Sequence, residues 1–149
     1  MKPIYILNGP NLNLLGLREP AVYGPETIGD LEMRCEAKAK ALGQQIVFRQ
    51  TNTEGELIGW IHEAQSTAAG IIINGAAYTH TSVALHDALK AVNIPTIEVH
   101  LSNVYAREPF RHHSYISPVA HGVICGFGGQ SYELALDGIV QILKTSGKG

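Results

Sequence analysis

The chain has 149 residues, 45% of them apolar, and 11 Lys and Arg against 13 Asp and Glu leave a formal net charge of −2. That length is about one domain, expected over residues 1–149, with chain enough to bury a core, and so weak a charge gives no sign of nucleic acid or an anionic membrane as partner. No apolar run approaches the ~20 residues of a membrane span, and the N-terminus lacks the apolar region and cleavage site of a signal peptide. Two distant cysteines without a CxxC, Cys35 and Cys125, predict two reduced core thiols in a cytoplasmic protein.

Strand-like and helix-like runs alternate along the chain. Ile4-Tyr5-Ile6-Leu7 predicts a first strand that ends in Asn8-Gly9-Pro10-Asn11, and a long loop from Gly9 to Pro25 follows. Thr27 and Asp30 have the spacing of a capping box. Behind them Ile28, Leu31, Cys35, Ala39 and Leu42 recur at helical period, and Gly43 is placed to end that helix. Gln45 to Gln50 reads as strand two. A second helix follows Glu54-Gly55, with Leu57, Ile58, Ile61 and Ala64 turned inward, and Gly70 to Ile73 is strand three, ending in Asn74-Gly75. Thr81 or Ser82 caps a third helix that runs to Val92, where Asn93 and Pro95 stop it. Pro95 to Val99 is strand four and gives way to His100-Leu101-Ser102. A second long loop spans His100 to Pro118, Gly122 to Gly126 is strand five, and Ser131 to Lys144 is the closing helix. Only the tail Ser146 to Gly149 is expected to be disordered.

This alternation predicts an α/β fold: a five-stranded parallel sheet with helices on both faces. Right-handed crossovers and the doubly wound rule favour strand order 2-1-3-4-5. Ligands of such sheets bind outside the carboxyl ends of the strands, at the switch point between strands one and three. Asn8, Asn11 and Asn74 fall there, with His100 one strand further along. Both long loops exceed what packing needs, and they are dense in functional groups, so they read as a lid and a binding loop.

Four constellations could carry chemistry. Free tyrosine, with a pKa of about 10, is a poor base at neutral pH. Arg18 lies five residues from Tyr23 in the same loop, and its charge would lower that pKa; the plain alternative is a surface tyrosine beside a solvated arginine. Glu98 and His100 alternate onto one face of strand four, where a carboxylate can orient an imidazole; the alternative is a satisfied core histidine. Asn74 to Ser82 joins a strand to a helix through small residues that let backbone approach a ligand, with His80 among them and Asp87 further along, where it can project toward a neighbouring subunit. Arg107 and Arg111, four apart, can clamp a carboxylate or hydroxyls, or form a solvated basic surface. His112-His113 diverge too much to chelate one ion, and no zinc, P-loop or dinucleotide motif is present. Gly126-Phe127-Gly128-Gly129 reads as a structural turn.

Asn8-Gly9-Pro10-Asn11-Leu12-Asn13-Leu14-Leu15-Gly16, then Arg18-Glu19-Pro20 and Tyr23-Gly24, resemble the N-terminal signature of the type II 3-dehydroquinases (3-dehydroquinate dehydratases). Asn52-x-Glu54-Gly55, Ala77 to Ser82, Glu98 to Asn103 and Gly126-Phe127-Gly128 resemble further blocks of that family in the same order. The resemblance implies a flavodoxin-like fold, a dodecamer built of trimers, and loss of water from 3-dehydroquinate to give 3-dehydroshikimate, the third reaction of the shikimate pathway. It implies Tyr23 as the base that takes the proton alpha to the ketone, His100 as the acid that protonates the departing hydroxyl, and Arg18 as the cation supporting the base. Asn11 would help stabilise the enolate. Asn74, His80, Asp87 and Arg111 match ring-hydroxyl positions, and Leu101-Ser102 the carboxylate site. Such a dehydration requires a base, an acid and an enolate stabiliser, and no cofactor or metal. Thr53, Gly75, Tyr105 and Ser131 depart from the family pattern, which favours histidine, proline, histidine and glycine there. Two rivals remain: a non-catalytic binding or receiver module of the same fold, and a metal hydrolase using His80, His100 and His112.

Overall fold

The computed structural model of the chain describes residues 1–17, 19–23 and 25–146, with backbone alone at Val22 and Tyr23. Arg18, the Tyr23 side chain and the expected tail beyond Ser146 therefore lie outside the described residues. Ser146 itself is not a loose end: it caps the last helix, its N–H on the Ile142 carbonyl.

Five strands, β1 (Ile4–Asn8), β2 (Ile46–Gln50), β3 (Gly70–Asn74), β4 (Thr96–His100) and β5 (Gly122–Cys125), form one parallel sheet in the order 2-1-3-4-5. The helices are α1 (Pro20–Tyr23), α2 (Ile28–Ala41), α3 (Glu54–Thr67), α4 (Val83–Val92) and α5 (Gln130–Thr145). Every residue of β1, β3 and β4 is buried, whereas β2 and β5 at the edges are half-covered. β1, β3 and β4 are thus the strands with helices over both faces.

Alternation along the strands divides the core in two. Ile4, Ile6, Ile72, Ile97 and Val99 pack with α2 and α5, while Tyr5, Leu7, Ile71 and Ile73 pack with α3 and α4. Full burial of each such side chain stabilises by about 1.5–3 kcal/mol. Thr27 and Asp30 do form the reciprocal capping box that starts α2, and of the two hydroxyls before α4 it is Ser82 that accepts the Leu85 N–H.

Several boundaries differ from the sequence expectation. β4 runs one residue further, because its ladder with β5 continues to the pair His100 and Cys125, so His100 belongs to the strand. β5 stops at Cys125, where Gly126 turns out at φ +100°. Cys125 is half-buried on this edge strand rather than in the core; Cys35 is buried, and both thiols are free. Within the long loops the chain is largely turned: a 3-10 turn at Leu12–Leu14 and α1 in the first, three 3-10 turns between Val104 and Val119 in the second. No helix among the described residues is long and apolar enough to cross a membrane.

Candidate active site

The strand tips meet because backbone approaches backbone. β1 and β3 pair in register through Asn8 and Asn74, and Gly9 then donates its N–H to the Asn74 carbonyl at 2.8 Å. A Cβ on Gly9 would lie 2.5 Å from the Gly75 carbonyl oxygen, so only glycine permits this crossing. Asn74 is 3% exposed. Its Oδ1 accepts the Ala76 N–H at 3.0 Å and its Nδ2 donates to the Tyr132 hydroxyl at 3.0 Å. Ala76 adopts φ +50°, a left-handed conformation costly for a residue with a Cβ and held here by the Asn74 side chain.

One strand along, His100 and Glu98 emerge on the α3/α4 face. His100 Nε2 lies 2.5 Å from Glu98 Oε2, and both groups are buried, at 5% and 1% exposure. Burial alone would push the Glu98 carboxyl up. The His100 bond and charge and the hydroxyls of Ser117 and Ser114 more than offset this and hold it below the ordinary carboxylate range. Ser114 donates to the carboxylate at 3.0 Å while accepting the N–H groups of Ile116 and Ser117, and Ser117 Oγ donates to Glu98 Oε1. The second long loop is therefore clamped to the Glu98–His100 pair. With Nε2 committed to Glu98, Nδ1 is the ring nitrogen left for other partners.

A cleft opens over these tips. Asn11, Asn74, His80, His100, Ser102 and Arg111 line it, together with Leu101 and Arg107. The His80 ring stacks on His100, centroids 6.4 Å apart, and its Nδ1 donates to the His113 carbonyl at 2.8 Å. Burial, with the neighbouring His100 and Arg111 charges, lowers the His80 pKa against the opposing pull of that carbonyl. Arg111 Nε bonds Glu108 Oε1 at 2.9 Å, and Arg107 reaches Ser102 Oγ at 3.5 Å. Asn11, at φ +68°, is pinned through its N–H to Asn52 Oδ1 at 2.9 Å.

The sequence profile described as Dehydroquinase class II matches residues 2–140. The chain is 61% identical over 136 residues to 3-dehydroquinate dehydratase 2 of Pseudomonas aeruginosa, covering 91% of this chain and 92% of that one. It is 63% identical over 136 residues to the 3-dehydroquinate dehydratase of Dinoroseobacter shibae, covering 91% of each. The solved type II dehydroquinase of Propionibacterium acnes superposes with a TM-score of 0.91 at 45% identity, covering 95% of this chain and 97% of that one.

The chain belongs to the class II dehydroquinase family.

In this dehydroquinase the cleft gathers Asn11, Asn74, His80, His100, Leu101, Ser102 and Arg111 from the expected set, with Glu98 directly behind His100. Asp87 is exposed on α4 and does not line the cleft of its own chain. The expected Arg18–Tyr23 pair lies outside the described residues. Among the described residues no three His, Cys, Asp or Glu side chains gather to hold a metal ion, and His112 turns its Nε2 to the Arg107 carbonyl. Of the four departures, Ser131 is buried and accepts the Phe127 N–H at the start of α5. Tyr105 is exposed with its ring against His112, and Thr53 precedes α3 without a side-chain cap. Gly75 is buried, and a Cβ there would lie 2.6 Å from Thr79 Oγ1 and 2.7 Å from Ile116 Cδ1.

Three site-forming residues escape a reading of the sequence: Ser114, Ser117 and Tyr132. The serines carried a signal, two hydroxyls three apart in a loop already dense with functional groups. Tyr132 carried none, since it reads as one more apolar position of the closing helix.

Proposed function

We propose that this enzyme removes water from 3-dehydroquinate to give 3-dehydroshikimate in the shikimate pathway, through an enolate. Tyr23, with Arg18 beside it, takes the proton alpha to the ketone, and the carbon–hydrogen electron pair becomes the enolate. Asn11 stabilises the oxygen on which charge develops. The enolate collapses, the β-hydroxyl leaves, and His100 delivers the proton that turns it into water. Glu98 orients His100 through Nε2, so the donated proton comes from Nδ1. Asn74, His80 and Arg111 hold the ring hydroxyls, and the Leu101-Ser102 segment holds the carboxylate. Asp87, outside its own cleft, serves the cleft of a neighbouring subunit in a dodecamer of trimers. The free thiols of Cys35 and Cys125 accord with a cytoplasmic place for the enzyme.

The observation that carries this reading is the buried Glu98–His100 pair at the end of β4, facing a cleft edged by Asn74 and Arg111. No lysine lines that cleft among the described residues, which supports an enolate route over an imine. The deciding experiment is an ultraviolet assay for the conjugated enone with purified protein and 3-dehydroquinate. Absorbance should rise with multiple turnovers in the presence of a chelator, and borohydride with substrate should leave activity intact. Absence of the enone, or a covalent adduct on a lysine seen by mass spectrometry, would overturn it.

A further inference from the structure

Beneath the cleft runs a chain of hydrogen bonds whose direction is imposed at both ends. At one end the Arg49 carbonyl, which can only accept, takes the Asn8 Nδ2–H at 3.0 Å. Asn8 must then turn Oδ1 toward Tyr132, whose hydroxyl donates to it at 2.6 Å. A phenol has one hydrogen, and here it is spent on Asn8. Toward Asn74 the Tyr132 oxygen can therefore only accept, and it takes the Asn74 Nδ2–H at 3.0 Å. At the other end the Ala76 N–H, which can only donate, meets Asn74 Oδ1 at 3.0 Å. Reversing either amide would set donor against donor or acceptor against acceptor, in surroundings where Asn8 and Tyr132 are wholly buried and an unmatched group is costly.

We propose that Tyr132 is a positioning residue that, as the second anchor beside the Ala76 N–H, holds the Asn74 amide in one direction toward the cleft and so sets the polarity with which the enzyme binds a substrate ring hydroxyl. The amide of asparagine has two N–H donors and two carbonyl lone pairs. Tyr132 uses one donor and Ala76 one lone pair. What remains at the cleft floor is one N–H and one lone pair in set positions, a match for a hydroxyl that accepts from the first and donates to the second. Burial also pushes the Tyr132 phenol well up from its ordinary value, so the hydrogen on which the direction depends stays in place across the working pH range. Tyr132 reaches this point from α5, on the sheet face opposite Glu98, and does not itself line the cleft.

The proposal rests on the dehydration reading, and its test separates the two. Tyr132→Phe keeps the ring and removes the oxygen. With 3-dehydroquinate, KM should rise by roughly tenfold, the worth of one hydrogen-bonding group released from one of its two anchors, while kcat stays within about threefold, since acid and base are untouched. Asn8→Leu, which frees the Tyr132 hydrogen to swing toward Asn74, should raise KM in the same direction. Leu136→Ala, a core truncation on the same helix, should lower the melting temperature and leave KM alone. Independent of substrate, the Asn74 side-chain amide protons should exchange slowly with solvent in the wild type and faster in Tyr132→Phe, by nitrogen-15 NMR. An unchanged KM in both variants of the chain, or Asn74 amide protons indifferent to Tyr132→Phe, would overturn the proposal. Wild-type protein that forms no enone would overturn the reaction and with it the hydroxyl role, while the amide protons would still decide whether the chain of bonds orients Asn74.

Discussion

Two buried polar networks stand at the same edge of the sheet, on opposite faces, and they solve one problem in different ways. Toward α5, Asn8, Tyr132 and Asn74 are neutral, and backbone groups at both ends fix the direction of every bond. Toward α4, Glu98 and His100 are ionisable, and Ser114 and Ser117 supply the donors that keep the carboxylate charged in a buried place. A binding group needs a constant polarity, so a chain that does not titrate suits it. A group that moves protons must be able to change charge, so its surroundings stabilise one form without forbidding the other. Under the proposed function the neutral network holds substrate and the ionisable one transfers a proton.

The sharpest way to break this contrast is His100→Ala. It should lower kcat by ~100 to 10,000-fold, as loss of a general acid does, with KM changing far less. A variant that loses affinity and keeps its turnover would put the binding task on the wrong face.

Glu98→Gln comes next. One end of the amide would direct N–H groups at hydroxyls that now donate to the carboxylate, at a cost of about 1–3 kcal/mol in stability. The same variant should change how stability depends on acid. Because the folded carboxyl is held below 4.5, the unfolded chain takes up the proton first. The stabilisation from Glu98 is therefore whole above that value and lost as pH falls through the lower folded one. Urea midpoints measured from pH 6 to pH 3 should fall less steeply in Glu98→Gln than in the wild type; parallel curves would show that Glu98 does not bear this charge.

Gly75→Ala probes whether the two networks are mechanically separate. The added methyl would press on Thr79 and on Ile116, which lies between Ser114 and Ser117, and overpacking of this kind costs about 1–3 kcal/mol. The variant should disturb both networks together, with lower thermal stability and with kcat and KM both worsened. A change in only one kinetic constant would show that the space beside Gly75 serves one network alone.

The smallest effect belongs to His80, between the two. Its lowered pKa means that the unfolded chain protonates first as pH drops below 6.5, so the protein loses stability on acidification through that range. His80→Gln should flatten the stability curve between pH 7 and pH 5 by a small amount, readable in thermal midpoints. An identical slope would mean that the imidazole is not effectively buried against Arg111 and His100.

Much of this was legible in the residues. Short, mostly apolar runs, punctuated by Asn, Gly and His, define buried parallel strands and their order, because a strand covered on both faces is apolar except where a polar group finds a buried partner, as Glu98 and His100 do, and right-handed crossovers leave few topologies. Glu98 and His100 were paired by the two-residue period of a strand, a local rule that needs no tertiary knowledge. The motif blocks from Asn8 to Gly128 placed the chain in its family. What the sequence could not contain are the contacts across long separations. Tyr132 is 124 residues from Asn8 and 58 from Asn74, and nothing local marks an aromatic residue in an amphipathic helix as the one whose hydroxyl meets two strand tips. Ser114 and Ser117 became ligands of Glu98 only when the second loop folded back over β4. By itself, then, the sequence determined the sheet, its functional edge and the residue types able to act there, since these follow from period, burial and turn chemistry. Only the tertiary structure decided which of those groups are bound to each other and in which direction each hydrogen points, because that depends on distances between segments that no spacing along the chain encodes.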